Sequence, residues 1–211
     1  MSRGHIALLG DSIFDNAYYV PGEQPVIEQV REAVPDGWSA TLFAADGASA
    51  SDVREQLERI TPEVTHVFVS AGGNDAINES TILTESVRTV GEAQHIVAQA
   101  QLRFRRVYES LARAVLGLGR PAAFCTVYDA IPSLNEPARI ALGAFNDVIL
   151  RTAFRHHSPV IDLRLICDED DDYSSVSEIE PSARGGAKIA RVIAEVASSH
   201  DFAMRRTVVY P

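Results

Sequence analysis

Short β-rich runs alternate with longer helical stretches along the whole chain, and few architectures accept that order. The β-rich runs cover residues 5–9, 39–44, 65–71, 121–127 and 159–163, where apolar and β-branched residues cluster between turn formers. The strongest helical period begins near Gly91: Val97, Ala100, Phe104, Val107, Leu111, Ala114 and Leu118 recur at steps of three and four. Ala141, Ala144, Val148 and Thr152 keep register over 136–155, Ile189, Ile193 and Val196 over 184–197, and a shorter period carries Ile27, Val30 and Val34. Strands joined through helices at this spacing lie parallel, with helices on both faces. The pattern predicts an α/β fold, a three-layer α/β/α sandwich on a five-stranded parallel sheet, as a single domain over residues 1–211. The tail "MRRTVVYP" reads either as an extra edge strand or as an arm onto a neighbour.

Composition narrows the partners. No apolar run approaches the roughly 20 residues that cross a bilayer. The apolar stretch after Arg3 is too short for a signal peptide, so a cytoplasmic protein is expected. A net charge of −10 argues against a nucleic-acid partner. The short cluster of Arg103, Arg105 and Arg106 reads as a solvated helix face. Two cysteines, Cys125 and Cys167, are too few for a disulfide framework or a zinc site. No Gly-x-Gly-x-x-Gly fingerprint follows the first strand, so neither a nucleotide cofactor nor a metal is expected. Lys188 stands alone against eighteen arginines, a usage expected of a GC-rich bacterial genome. Nothing in the sequence specifies an oligomeric state.

In an open parallel sheet, ligands bind beyond the carboxyl ends of the strands. Gly10-Asp11-Ser12 follows the first strand, Asp46-Gly47-Ala48-Ser49 the second and Gly72-Gly73-Asn74-Asp75 the third. Each has a plain structural use, as a helix N-cap or a tight turn. Together they also supply what acyl transfer needs: a hydroxyl nucleophile and donors for a developing oxyanion. Ser12 would attack and lend its backbone N–H, while Gly47 N–H and the Asn74 amide would complete the hole. These blocks, in this order, resemble the SGNH (GDSL-type) hydrolases, a family with a flavodoxin-like three-layer fold. The likeness extends to Asn146 on the fourth-block helix and to "PSARGGAKIA" at the last helix. It implies a serine-dependent hydrolase of ester-like acyl bonds, acting on a small-molecule ester, thioester or acylated sugar.

One block departs from the family pattern. The resemblance calls for Asp-x-x-His before Pro181, and this chain has Ser177 and Glu180 at those positions. His5, His66, His156, His157 and His200 fall at the wrong end of the sheet, which leaves His95 as the one histidine near the site and Glu180 as the alternative base. A carboxylate with a reference pKa of about 4.3 is a weak base unless burial or nearby negative charge raises it. The run Asp168, Glu169, Asp170, Asp171, Asp172 is one source of such charge, and otherwise reads as a solvated loop. Asp11 and Asp75 read as turn-fixing residues, and Asp15 and Asn16 as further polar candidates, Asp15 as assisting base or orienter. Phe14, Tyr18 and Tyr19 either line an acyl or sugar pocket or anchor their loop. Three readings follow: a hydrolase using Ser12 and Glu180, a degenerate member that binds an acyl or carbohydrate ligand without turnover, and a structural protein reusing the fold. Intact Ser12, Gly47 and Asn74 favour the first.

Overall fold

Neighbouring residues of each central strand face different cores, and this alternation builds the layers. In the computed structural model, which describes residues 4–204 and 206–211, the strands are β1 (His5–Gly10), β2 (Ser39–Leu42), β3 (His66–Ser70), β4 (Ala122–Cys125), β5 (Val160–Ile161) and β6 (Val209–Tyr210). They run parallel in the order β2-β1-β3-β4-β5-β6. Residues 1–3, the start of the stretch read above for a targeting signal, and Arg205 lie outside the described residues.

The helices are α1 (Val26–Ala33), α2 (Val53–Leu57), α3 (Gly73–Asn78), α4 (Val90–Gly117), α5 (Glu136–His156), α6 (Leu163–Ile166) and α7 (Ala183–Ser199). Ile6, Leu8, Phe68 and Cys125 pack with α1, α6 and α7 on one face. Ala7, Leu9, Val69 and Phe124 pack with α2, α4 and α5 on the other. The long helices begin where their caps dictate. Thr89 accepts from Glu92 N, Asn135 from Ala138 N and Ser182 from Gly185 N, each taking up a donor that the first turn leaves unpaired. None of the described helices is long and apolar enough to cross a membrane.

The sheet has six strands where five were expected. Val209 and Tyr210 pair in parallel with Val160 and Ile161, so the tail is an edge strand. The fifth strand is shorter than its apolar run because Asp162 stops it: its carboxylate accepts from Arg164 N and caps α6. Gly10 closes β1 at φ 127°, and a Cβ there would stand 1.6 Å from Ser70 O of β3. Gly10→Ala should therefore force β1 and β3 apart beside the nucleophile block. We expect a loss of at least ~3 kcal/mol, read by urea unfolding.

Candidate active site

At the carboxyl end of β1 the chain turns sharply, and Asp11 and Ser12 enter the wall of a cavity. The turn is pinned on both sides. Gly10 N donates to Gln56 Oε1 (2.7 Å) and Gln56 Nε2 donates back to Gly10 O (2.8 Å), while Asp11 N donates to Ser70 O (3.1 Å). Gln56 is buried and has no other visible task than satisfying Gly10.

The second and third blocks are tied to one another. Asn74 Nδ2 donates to Ala48 O (3.0 Å), Asp75 Oδ2 accepts from Ala50 N (2.9 Å), and Asp15 Oδ2 accepts from Asp46 N (3.0 Å). Asp15 therefore holds the Gly47 loop and makes no bond to Ser12 or Glu180. Gly47 itself is exposed, at φ 76°, and is not among the residues lining the cavity. The N–H groups of Ser12 and Gly47 make no hydrogen bond among the described residues. Asn74 keeps a second amide hydrogen beyond its bond to Ala48, so Ser12 and Asn74 each have a free donor in the cavity wall, of which Gly47 is not a part.

Glu180 lies in the same cavity wall as Ser12, 4% exposed. Its backbone is fixed from several directions. Glu180 N donates to Ser177 O and Glu180 O accepts from Ser174 N. The flanking carbonyls of Ile179 and Pro181 accept from Tyr128 Oη (2.7 Å) and Asn16 Nδ2 (3.1 Å). Burial raises the Glu180 carboxyl from 4.5 to about 7; the Ser12 hydroxyl opposes that rise as a hydrogen-bond donor, and the Asp46 charge adds to it. No bond of standard geometry joins Ser12 to Glu180, and Glu180 Oε2 is buried without a partner. Hydrogen bonds of this kind often tighten only once substrate is in place. The charge near Glu180 thus comes from Asp46, not from the acidic run.

The cavity, about 160 Å³, opens between α3, the turn after it, the loop following β4, and α5. Ile13, Ile82, Val127, Ile131, Leu142 and Phe145 form its apolar side, Asn74, Glu79, Ser80 and Tyr128 join Asp11, Ser12 and Glu180 as its polar lining, and no histidine, lysine or arginine lines it.

With this geometry in hand, the likeness to known proteins can be placed. The profile of the GDSL-like lipase/acylhydrolase family matches residues 8–188. The chain belongs to this family. Membership carries the class of the activity, ester hydrolysis. Solved structures agree on the fold. A lipase, Lip_vut3, from a goat rumen metagenome superposes with a TM-score of 0.71 at 17% identity, over 94% of this chain and 99% of its own. The W215I form of Axe2, an acetyl xylan esterase from Geobacillus stearothermophilus, gives 0.67 at 15% identity over 94% and 96%. Phospholipase A1 from Streptomyces albidoflavus NA297 gives 0.66 at 19% identity over 95% and 100%. No curated protein sequence matches the chain.

In this GDSL-type hydrolase no histidine takes the expected place. His95 is exposed on α4, outside the cavity wall, and His200 is bonded to Tyr210 Oη at the far edge (2.9 Å). The acidic run is not a solvated loop throughout. Asp172 is fully buried, with Lys188 Nζ at 2.7 Å and Arg184 Nε at 3.6 Å, and Arg184 also pairs with Glu169. Tyr18 is exposed and Tyr19 bonds Asp46, so the tyrosines anchor and edge their loop, while Phe14 is core. Asn146 bonds both N and O of Val127 and sets the loop after β4.

Asn16 does more than its sequence position suggests. It is fully buried, accepting from Val26 N (2.8 Å) and donating to Pro181 O, so it joins the nucleophile loop to the segment carrying Glu180. Asn16→Ala removes both bonds. The expected cost is about 2–3 kcal/mol of stability. Loss of positioning should also lower kcat on an activated ester by at least ~10-fold, with KM changed less than about twofold.

Proposed function

We propose that the protein hydrolyses esters of apolar acyl groups, with Ser12 as nucleophile and Glu180 as its general base. The observation that carries this reading is the buried Glu180 carboxyl beside Ser12, raised to about 7 in a cavity wall that offers no histidine. A base is most effective when its pKa lies near the working pH, and burial brings this carboxylate there.

The steps follow from the geometry. Ser12 Oγ attacks the ester carbonyl carbon as its proton passes to Glu180. Negative charge moves to the carbonyl oxygen, where Ser12 N–H and Asn74 Nδ2 of the cavity wall are the donors at hand, with Gly47 N–H the third that the family resemblance implies. The tetrahedral species collapses, the C–O bond to the alcohol breaks, and the departing alkoxide takes the proton from Glu180. Water then attacks the acyl-serine, giving a proton to Glu180; the C–O bond to Ser12 breaks, the Ser12 oxygen takes that proton back from Glu180, and the acid is released. A carboxylate base has no tautomer to be fixed, so the aspartate that orients a histidine has no task here. Ser177 meets what remains, a backbone turn to Glu180 N.

The acyl group is assigned from the wall chemistry. Ile13, Ile82, Val127, Ile131, Leu142 and Phe145, the apolar side of the wall, offer no partner to sugar hydroxyls, whose desolvation against that side would go uncompensated. Each buried methylene contributes about 0.8 kcal/mol.

Hydrolysis of p-nitrophenyl butyrate tests the reading. Wild-type kcat/KM should climb as pH rises through about 7, because Glu180 must lose its proton to act. Ser12→Ala and Glu180→Gln should each lower kcat by roughly 10⁴-fold or more. A wild type no faster than Ser12→Ala at any pH would refute hydrolysis and leave a binding protein. Chain length gives a second check: butyrate should exceed acetate by about tenfold in kcat/KM. Ala138→Trp, which fills the cavity, should abolish that preference.

A further inference from the structure

Asp11 and Glu180 are the two buried carboxyls of a cavity wall that also carries the partly exposed Glu79, and the steps above leave Asp11 unused. It is 2% exposed. Its Oδ1 accepts from Ile13 N (3.2 Å) and, more weakly, from Ser70 Oγ (3.4 Å). Its Oδ2 has no hydrogen-bond partner among the described residues and faces the third block, 3.8 Å from where a Cβ on Gly73 would sit. The titratable groups that face it are Cys125 of β4, Tyr108 of α4, Tyr128 after β4, and Glu180. Burial pushes the thiol and both phenols up, so they stay neutral. No cation lines the cavity.

We propose that Asp11 takes part in turnover as an un-ionised acid, its Oδ2–H a hydrogen-bond donor on the Gly73–Asn74 side of the cavity, and that loss of this proton stops the reaction. This rests on the Ser12–Glu180 reading. Two buried carboxyls with no cation cannot both ionise cheaply. Glu180 ionises first, and its charge adds to burial in holding the proton on Asp11, which is raised from 3.8 to about 8. During attack, negative charge leaves Glu180 and appears on the substrate oxygen near Asn74. Asp11 faces that side. Neutral, it offers a donor to the growing charge; ionised, it repels it and donates nothing. A carboxylic acid kept neutral at pH 7 can serve an oxyanion in this way. No proton leaves Asp11 during the cycle.

The test pairs a rate profile with a direct titration. Wild-type hydrolysis of p-nitrophenyl butyrate, followed from about pH 5 to about pH 10, should be bell-shaped, rising through about 7 and falling through about 8. At pH 9 the wild type should retain about a tenth of its peak kcat/KM, the loss that one pH unit beyond the alkaline pKa gives. Asp11→Asn keeps a neutral donor and should retain more than half of its own peak there, with the acid limb unchanged. An alkaline fall that persists in Asp11→Asn overturns the proposal. So does a wild-type plateau to pH 10. The ¹³C carboxyl resonance of Asp11 in the wild type needs no variant: protonated at pH 7 supports the proposal, ionised at pH 6 overturns it. That spectrum also separates the two failures. An ionised Asp11 in an active enzyme defeats this inference alone, whereas no hydrolysis at any pH defeats the Ser12–Glu180 reading and this inference with it.

Discussion

Three buried side-chain amides hold the site together, each by bonding backbone that the sheet leaves unpaired. Gln56 closes on the N–H and C=O of Gly10, Asn146 on those of Val127, and Asn16 on Val26 N and Pro181 O. An amide carries both donor and acceptor, so one side chain can satisfy two backbone groups where no strand or helix continues. The turns after β1 and β4 and the segment before α7 are therefore fixed without regular structure. Ser12 and Glu180 come from opposite ends of the chain, and Asn16 spans that separation in one residue. If these amides were apolar, the same turns would have to open to water.

The proposed use of Glu180 where the family pattern has a histidine is intelligible as a change of environment together with a change of residue. In water a carboxylate near 4.3 is a poor base for a serine hydroxyl. In the cavity wall its pKa stands at about 7, mainly through burial. The surrounding cations are spent elsewhere: Arg184 and Lys188 are drawn to Asp172 and Glu169 at the start of α7. A positive group beside Glu180 would have pulled its pKa down and undone the exchange. The negative charge felt by Glu180 is that of Asp46.

What the sequence disclosed and what it hid divide along one physical line. The long helices and the first four strands were legible because each repeats a spacing over several residues. α2, α3 and α6 were not, since five, six and four residues complete too few turns to show a period. The sixth strand rests on two residues, Val209 and Tyr210, which suit an edge strand and a free arm alike. Ser12 and Asn74 stood out because their blocks are local and follow strands, and Glu180 because it stands where the resemblance calls for a histidine. Gln56 did not, and Asn16 was legible only as a polar candidate without its role, for their partners lie 46 and 165 residues away. The acidic run is solvated at Asp168, Glu169, Asp170 and Asp171 and departs from that reading only at Asp172, which is buried against Lys188 and Arg184, four apart on one helix face.

Burial that raises Glu180 and burial that receives an acyl group are the same burial. The apolar wall formed by Ile131, Leu142 and Phe145 stands on one side of the cavity, and Ser12 and Glu180 on another. An apolar acyl chain entering this space displaces water from the mouth and lowers the local dielectric further. That acts on Glu180 in the direction burial already acts, toward a higher pKa and a stronger pull on the Ser12 proton. A polar acyl substituent would bring water or its own dipoles with it and weaken that pull. On the proposed reading, selectivity for the acyl group and strength of the Glu180 base are one property of one wall, and the apolar side of the cavity serves both.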